Sequence, residues 1–495
     1  MKNIRIQRSL KLIFIAGIFF TLMSCTDNRP DKPNFIFILV DDMGWKDVGC
    51  YGSEFYETPN IDRLAKEGMR FTNAYASSSV CSPTRASILT GKNPVNHGIT
   101  EWIPGRQSYR PKEDHRKFMA LPFTQQMEIK EYTIAEALQD NGYETFFAGK
   151  WHLGGEDYFP PLQGFKHNVG GCSAGGPYGN KEYFYPFGAP VNGKEGDFLT
   201  DNLTNQTLAF IKQNKDKPFL AYLSFYTLHN PLMAPDSLVE KYQEKADQLG
   251  YTSEERFTRN REWIDALPEN NYKVRLVQDN PVYAAMVEIM DNNVGKIMRT
   301  LKELDMDKNT VIFFTGDNGG LATSEGSNTC NLPLRAGKGW LYEGGIREPT
   351  IINWPQVINP GSVSDALVIS TDFYPTMLEM AGLDLIPSQH TEGKSLVPVL
   401  KGKTQEERTL FWHYPHNSNQ GSGPASAVRK GKYKLVDMFE KEAPELYDLE
   451  KDIGEKNNIA NEKPLIKQTL YQELQEWRKA NDARMMKPNP DYEPL

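Results

Sequence analysis

The stretch that decides the fold is Asn34-Phe35-Ile36-Phe37-Ile38-Leu39-Val40, followed at once by Asp41 and Asp42. A nearly continuous apolar run predicts a strand that is buried on both faces, as in a parallel sheet. Two similar runs occur later in the chain, at Phe219–Phe225 and Thr310–Thr315. Because helical segments alternate with these strands, we predict an α/β layer structure with a mainly parallel central sheet.

Polar residues follow two of these strands at the point where each strand ends. Asp41 and Asp42 follow the first strand, and Asp317 and Asn318 follow the third. Open α/β sheets place their sites at the carboxyl ends of the strands. Adjacent carboxylates repel each other, which favours a bound cation, and oxygen donors of this kind suit Ca²⁺. The sequence therefore predicts a calcium site at this edge of the sheet.

A second signal is the stretch Cys81-Ser82-Pro83-Thr84-Arg85-Ala86-Ser87-Ile88-Leu89-Thr90-Gly91. Ser82 is a suitable N-cap, a proline follows it, and Gly91 suits a helix stop, so we predict a helix over this stretch. Cys81 then lies just ahead of the helix N-terminus, where free N–H groups and the helix dipole favour negative charge. Arg85 lies one turn further and can reach the same spot. The stretch predicts a nucleophile or an anion site.

The pattern Cys-x-Pro-x-Arg, continued by Ala-Ser-Ile-Leu-Thr-Gly, resembles the signature of the type I sulfatases. In that family the cysteine is oxidised after synthesis to formylglycine, whose hydrate is the nucleophile. Two further blocks, Gly149–Gly154 and Arg335–Pro349, also resemble the family. The resemblance covers nearly the whole mature chain. It implies an alkaline-phosphatase-like α/β/α sandwich with a smaller C-terminal α+β domain that contains an antiparallel sheet.

The resemblance also implies roles for the matched residues. The hydrated formylglycine at position 81 would attack sulfur, His229 would protonate the leaving alcohol, and His152 would act as the base that releases sulfate. Positive charge around the sulfate is assigned to Arg85, Lys150 and Lys338. One Ca²⁺ per chain is assigned to Asp41, Asp42, Asp317, Asn318 and residue 81.

The N-terminus predicts export. A basic segment precedes the apolar run Leu12–Met23, which is shorter than the ~20 residues that a spanning helix needs. The run ends in Leu22-Met23-Ser24-Cys25, which resembles a bacterial lipobox and implies cleavage before Cys25 and lipid on its thiol. An ordinary signal peptide is the alternative. We expect an exported lipoprotein in the periplasm, at the outer membrane or at the cell surface.

The chain divides into four predicted segments. These are a signal peptide at 1–24, a tether at 25–32, a catalytic domain at 33–395 and a C-terminal subdomain at 396–495. We predict short strands and a terminal helix in the last segment. Other predicted elements are a helix from Thr58 to about Ala76, a helix from Thr133 to about Gly142 with a capping box, a long loop over the pocket at 155–200, an irregular insertion from Met233 to Asp279 and a helix from Pro281 to about Met306.

The net charge limits the possible partners, whereas the roles of the remaining cysteines and histidines stay open. The net charge of −8 argues against nucleic acid as a partner, and a sulfate site in such a chain needs a local positive cluster. At most one disulfide can form among Cys50, Cys172 and Cys330, and the sequence does not choose it. His413 and His416 either line the pocket from the second domain or support the domain interface.

Together these features predict a sulfatase that acts on sulfated carbohydrate, with galactose or N-acetylgalactosamine sulfate of host or algal glycans as the preferred substrate. Its partners would be a sulfated glycan, a formylglycine-generating maturation enzyme and, through the lipid at Cys25, a membrane surface. One alternative is a phosphomonoesterase or phosphodiesterase of the same superfamily. Another is a lipid-anchored glycan-binding protein in which Cys81 stays unmodified and no turnover occurs.

Overall fold

The computed structural model describes residues 32–108, 116–258 and 273–492. The predicted signal peptide, Cys25 and most of the tether therefore lie outside the described residues. Among the described residues, no helix has the length and apolar character needed to cross a membrane.

The strands and helices alternate through most of the chain. In chain order the strands are β1 (Asn34–Val40), β2 (Met69–Tyr75), β3 (Glu144–Gly149), β4 (His167–Val169), β5 (Phe219–Ser224), β6 (Phe257–Thr258), β7 (Val274–Arg275), β8 (Thr310–Gly316), β9 (Thr350–Asn353), β10 (Ser362–Ile369), β11 (Thr409–Tyr414), β12 (Ala425–Lys430), β13 (Tyr433–Met438) and β14 (Glu445–Asp448). The helices are α1 (Pro59–Glu67), α2 (Cys81–Thr90), α3 (Pro94–His97), α4 (Ile134–Asp140), α5 (Leu199–Gln213), α6 (Asp236–Leu249), α7 (Ser253–Arg256), α8 (Pro281–Glu303), α9 (Glu343–Ile346), α10 (Phe373–Met380), α11 (Val397–Leu400) and α12 (Pro464–Ala480).

Within the described ranges, eight strands form the central sheet in the order β10-β2-β9-β8-β1-β5-β3-β4. Only β9 runs antiparallel to its neighbours in this sheet, β2 and β8. The other pairs are parallel. The predicted mainly parallel sheet is confirmed.

Helices cover both faces of this sheet, because alternate residues of a strand point to opposite sides. On β1, Ile36 and Ile38 pack into a core with the apolar faces of α5 and α8, while Phe35 and Phe37 pack into a core with α4 and α10. Both cores are buried. The resulting α/β/α sandwich agrees with the predicted fold class. α11 lies just beyond the predicted domain boundary at 395, and it packs into the second of these cores.

The C-terminal part forms a four-stranded antiparallel sheet in the order β11-β12-β13-β14, with α12 packed against it. Its other face packs on the catalytic part: Trp412 stacks edge-on against Tyr75 and donates its indole N–H to the carbonyl of Ala76 at 2.8 Å. Strands followed by a terminal helix were predicted here, and the structure confirms them.

Two predicted helix boundaries are wrong. The helix from Thr58 ends at Glu67, because Gly68 interrupts it and residues 69–75 pair with β9 and β10 instead. The helix at the sulfatase-like signature begins at Cys81, not after it, and Val80 is its N-cap. Ser82 is not a cap, since its hydroxyl donates to the carbonyl of His152 and accepts from the N–H of Ile103.

The insertion predicted as irregular is more ordered than its composition indicated. It contains α6, whose Tyr242 and Ala246 bury against the same core as α8. Strand β10 was not predicted at all, and it forms an edge of the sheet. The capping box of α4 is confirmed: the Thr133 hydroxyl accepts from the N–H of Glu136, whose carboxylate accepts from the N–H of Thr133.

Candidate active site

Four neighbouring strands, β8, β1, β5 and β3, deliver the predicted site residues from their carboxyl ends. The first two strands end one residue before Asp317 and Asp41, and Val40 pairs with Gly316 in the parallel register. Strand β3 ends one residue before Lys150, and β5 ends five residues before His229. Since these strands are adjacent and parallel, their ends meet at a single edge of the sheet.

Helix α2 brings Cys81 to the same edge. Cys81 is the first residue of the helix and is buried. Its sulfur, together with carboxylate oxygens of Asp41, Asp42 and Asp317, belongs to a group whose members all lie within 4.8 Å of one another. Burial raises the pKa of the Cys81 thiol to about 12, so the unmodified side chain is a neutral thiol at physiological pH.

Arg85 joins α2 to the ends of four strands, β8, β1, β3 and β5. Its Nη2 lies 2.7 Å from Oδ2 of Asp317 and 3.6 Å from Oδ1 of Asp41. Nη1 donates to the carbonyl of Lys150 at 2.8 Å and to the hydroxyl of Ser224 at 2.6 Å. A planar guanidinium with several fixed donors is suited to this bridging position. Ser224 was not identified from the sequence, because a serine at a strand end carries no distinctive signal.

Two lysines pair with the neighbouring aspartates. The Nζ of Lys150 lies 2.6 Å from Oδ2 of Asp41, and the Nζ of Lys338 lies 2.8 Å from Oδ2 of Asp42. The Nε2 of His229 lies 3.8 Å from the same oxygen of Asp42. Although burial opposes ionisation, these positive charges hold the pKa of Asp42 well below its usual value. The predicted positive cluster thus exists beside the predicted metal site.

His152 and Asp42 both adopt left-handed backbone conformations, with φ of 59° and 57°. Such strain in non-glycine residues recurs at functional sites, where the surrounding structure holds it. Gly149 permits the turn that leads to His152, since its φ is 102° and a Cβ there would lie 1.8 Å from the carbonyl oxygen of Ser224. Burial and the charge of Lys150 lower the pKa of His152. Its Nδ1 is buried without a hydrogen-bond partner in the described structure.

The donor set fits a divalent cation. Asp41 Oδ1 and Asn318 Oδ1 are buried and accept no hydrogen bond from the described residues. The amide nitrogen of Asn318 donates to Oδ1 of Asp42 at 2.8 Å. This bond fixes the orientation of the Asn318 side chain and leaves its own oxygen, Oδ1, free. Hard cations prefer carboxylate and amide oxygens. Buried acceptors without donors are costly, and a cation bound by these oxygens would remove that cost.

A cavity of about 320 Å³ opens at this edge of the sheet, and Cys81, His152, His229 and Lys338 help to line it. The loop predicted to cover the pocket does line it, through Ser173, Ala174, Gly175 and Tyr178. Arg85 and Lys150 are not among the lining residues, and both are bound to carboxylates. The other lining residues were not identified from the sequence: Trp102, Ile103, Pro104, Glu325, Asn419 and Gln420.

Among the described residues, none of the unassigned histidines and cysteines lines this cavity. His413 contacts Ser426 and the carbonyl of Arg484, and His416 contacts the hydroxyl of Thr100. Both are buried and neither lines the cavity, so the pocket role does not fit them. The contact with Thr100 places His416 at the interface with the catalytic part, whereas both partners of His413 belong to the C-terminal part. Cys50, Cys81, Cys172 and Cys330 are all free thiols among the described residues, so none of the possible disulfides is present.

A sequence model of the family described as "Sulfatase" matches residues 33–383, and one described as "N-sulphoglucosamine sulphohydrolase, C-terminal" matches residues 336–480. A "Sulfatase" of Formosa agariphila is 30% identical over 93% of this chain and 90% of its own length. The dog N-acetylgalactosamine-6-sulfatase is 32% identical over 82% of this chain and 72% of its own.

Among solved structures, the crystal structure of Ps i-CgsB in complex with k-i-k-neocarrahexaose is similar, with a TM-score of 0.73 and 27% identity. The similarity covers 92% of this chain and 95% of that one. Fold and site together define a hydrolase of sulfuric esters. The chain belongs to the sulfatase family, with the alkaline-phosphatase-like fold of its structural relatives.

Proposed function

We propose that this sulfatase removes sulfate from sulfated carbohydrate, using a formylglycine made from Cys81 and a bound Ca²⁺. The observation that carries the proposal is the meeting of Cys81, Asp41, Asp42 and Asp317 within 4.8 Å at the N-terminus of α2. Galactose or N-acetylgalactosamine sulfate is the proposed substrate class. The name of the dog relative, an N-acetylgalactosamine-6-sulfatase, and the carbohydrate bound to Ps i-CgsB support that choice.

When present, the formylglycine hydrate would supply the attacking oxygen, and Ca²⁺ held by Asp41, Asp42, Asp317 and Asn318 would supply positive charge at the sulfate oxygens. Lys338 lines the cavity and is held by Asp42, so it can bind a sulfate oxygen from a fixed position. Arg85 and Lys150 hold the aspartates in place and add positive charge behind them.

The two histidines divide the proton transfers in this proposal. His229 lines the cavity beside Lys338 and would donate a proton to the oxygen of the leaving alcohol. His152 lines the cavity near Cys81, and its partnerless Nδ1 would accept a proton as sulfate is released. Burial and the charge of Lys338 lower the pKa of His229 to about 3 in the free protein. A bound sulfate ester adds negative charge, which favours the protonated form that a general acid needs.

We also propose that the chain is exported as a lipoprotein through Cys25, in the periplasm, at the outer membrane or at the cell surface. The lipobox-like sequence supports this location. A formylglycine-generating enzyme would act on Cys81 before folding completes, because Cys81 is buried in the folded chain. Mass spectrometry of the N-terminal peptide tests the lipid, and mass spectrometry of the peptide around residue 81 tests the aldehyde.

The function is tested with protein co-expressed with such a maturation enzyme. Sulfate release is measured on sulfated and phosphorylated versions of the same monosaccharides, with and without Ca²⁺. We expect hydrolysis of sulfate esters, dependence on Ca²⁺ and loss of at least about 10³-fold in kcat/KM for Cys81→Ala. Faster hydrolysis of phosphate esters would favour the phosphoesterase alternative. Full activity of Cys81→Ala would refute the nucleophile, and sugar binding without turnover would favour the binding protein.

A further inference from the structure

One carboxylate that the proposed chemistry does not use stands in the wall of the cavity. Of the described residues that line it, Glu325 carries the only carboxylate, and its side chain remains accessible. Lys338, which carries the opposite charge, also lines the cavity. Lys338 pairs with Asp42, and among the described residues no ion pair joins it to Glu325, so a bound sugar would meet the Glu325 carboxylate directly.

The position of the Glu325 carboxylate is fixed from the C-terminal domain. The Nε2 of Gln420 donates to Oε1 of Glu325 at 2.8 Å. The orientation of the Gln420 amide is itself set, because Ser418 donates its hydroxyl to Oε1 of Gln420 at 2.7 Å. The Gln420 carbonyl accepts from the indole of Trp340 at 3.0 Å. A carboxylate held in this way is preorganised for a ligand and loses little side-chain freedom on binding.

The backbone of Glu325 is fixed from the opposite side. Its carbonyl accepts from the side chain of Asn230, the residue after His229, at 3.0 Å. Asn328 donates in turn to that asparagine at 2.9 Å. Glu325 has a left-handed φ of 50°, which a non-glycine residue keeps only when its surroundings hold it. The segment therefore connects the wall of the cavity with the proposed general acid.

We infer that the Glu325–Gln420 pair selects a sugar ring that carries a single sulfate group. Within the described residues, the bond from Gln420 is the one hydrogen bond that the Glu325 carboxylate accepts, so Oε2 is available to a sugar hydroxyl. A hydroxyl donates to a carboxylate, whereas a second sulfate or a uronic acid carboxylate on the same ring cannot and is repelled. The pair thus favours neutral hydroxyls and excludes a second negative charge.

The inference rests on the proposed function. It is tested by the ratio of kcat/KM for a monosulfated sugar to kcat/KM for the disulfated form of the same sugar. Matured wild-type protein and Glu325→Gln are assayed above pH 7 for sulfate release from a panel of monosulfated galactose and N-acetylgalactosamine. The disulfated form of each sugar is assayed beside it. We expect the wild-type kcat/KM to favour the monosulfated sugar by at least about 10-fold. Glu325→Gln should lose about 10- to 100-fold on that sugar and reduce the ratio at least 10-fold.

Two variants separate charge from structure. Glu325→Asp keeps the charge on a shorter side chain, so it should lose activity yet keep the preference for one sulfate. Glu156→Gln, at an exposed carboxylate outside the cavity lining, should leave both rate and ratio unchanged. An unchanged ratio in Glu325→Gln, or a wild-type ratio near one, overturns this inference alone. No sulfate release from any sugar by protein with a confirmed aldehyde overturns the proposed function and the inference with it.

Discussion

Replacing Lys434 by methionine should destabilise the protein by several kcal/mol, because this lysine neutralises two buried glutamates. Its Nζ lies 2.9 Å from Oε1 of Glu343 and 2.9 Å from Oε1 of Glu455, and all three side chains are fully buried. Lys434 lies on β13 of the C-terminal sheet, and Glu343 begins α9, five residues after the catalytic candidate Lys338. The cluster therefore connects the C-terminal sheet to the segment that carries Lys338.

The magnitude follows from what remains when the lysine is removed. Glu343 keeps the guanidinium of Arg347 at 2.7 Å and the hydroxyl of Tyr75 at 2.8 Å. Among the described residues, the Glu455 carboxylate then keeps only the hydrogen bond from the N–H of Glu343, at 2.6 Å, so its charge loses its cation. Breaking a buried pair by removing one partner costs about 3–5 kcal/mol. Protonation of Glu455 limits this cost at low pH, which makes the effect dependent on pH.

The sign of that dependence follows from the pKa of Glu455. Burial raises this pKa to about 7 even though Lys434 lowers it, and removal of Lys434 raises it further. The folded variant then holds a proton that the unfolded chain releases, so its stability falls as pH rises from about 4.5 to the raised pKa, whereas the same decline in the wild type ends near pH 7. The cost of the substitution relative to the wild type therefore grows above pH 7, by up to about 1.4 kcal/mol per pH unit. We expect Lys434→Met to cost about 2 kcal/mol at pH 6 and about 3–4 kcal/mol at pH 8.

Denaturant unfolding at both pH values measures the difference. Lys432→Met is the matched control, because Lys432 lies two residues away, is 34% exposed and pairs with Asp448 at 3.4 Å. Surface pairs of this kind contribute about 0–1 kcal/mol. If the free energies of unfolding of the two variants agree within about 0.5 kcal/mol at pH 8, the buried cluster does not contribute as reasoned here.

Three further predictions concern the site and its surroundings. Ca²⁺ at a 100-fold excess over its Kd should stabilise the wild type by about 2.7 kcal/mol and so raise its Tm. Asn318→Leu should lose most of that Tm shift, because it lacks the buried oxygen. Equal Tm shifts of the two proteins in thermal scans would contradict the assignment. Ser224→Ala should cost about 1–2 kcal/mol, since Nη1 of Arg85 loses an acceptor at 2.6 Å, and an unchanged denaturation midpoint would argue against the bond. Burial raises the pKa of Glu101 to about 8, so the free energy of unfolding of the wild type should fall between about pH 5 and pH 8, by up to about 1.4 kcal/mol per pH unit. Glu101→Gln should flatten this dependence on pH. If the dependence persists in Glu101→Gln, another group causes it.

The sequence by itself determined the fold class and most of the chemical groups of the site. Apolar runs such as Phe35–Val40 suit a strand that is buried on both faces of a sheet, and residues at the ends of adjacent parallel strands meet at one edge. The pairing of Val40 with Gly316 brings Asp41 and Asp317 together, as that rule requires. The signature around Cys81 identified the family because its residue types are specific.

Tertiary structure decided what depends on contacts between distant segments. Residues 69–75 became a strand because β9 and β10 supply hydrogen bonds to them, which local propensity does not reveal. Ser82 binds His152 and Ile103 and does not cap its helix. Glu325 and Gln420 meet from segments 95 residues apart. The periodicity of a sequence indicates which faces of a segment are buried. It does not indicate which distant residue a side chain contacts, because that depends on how the whole chain packs. For that reason only the structure revealed the residues that form the wall of the cavity.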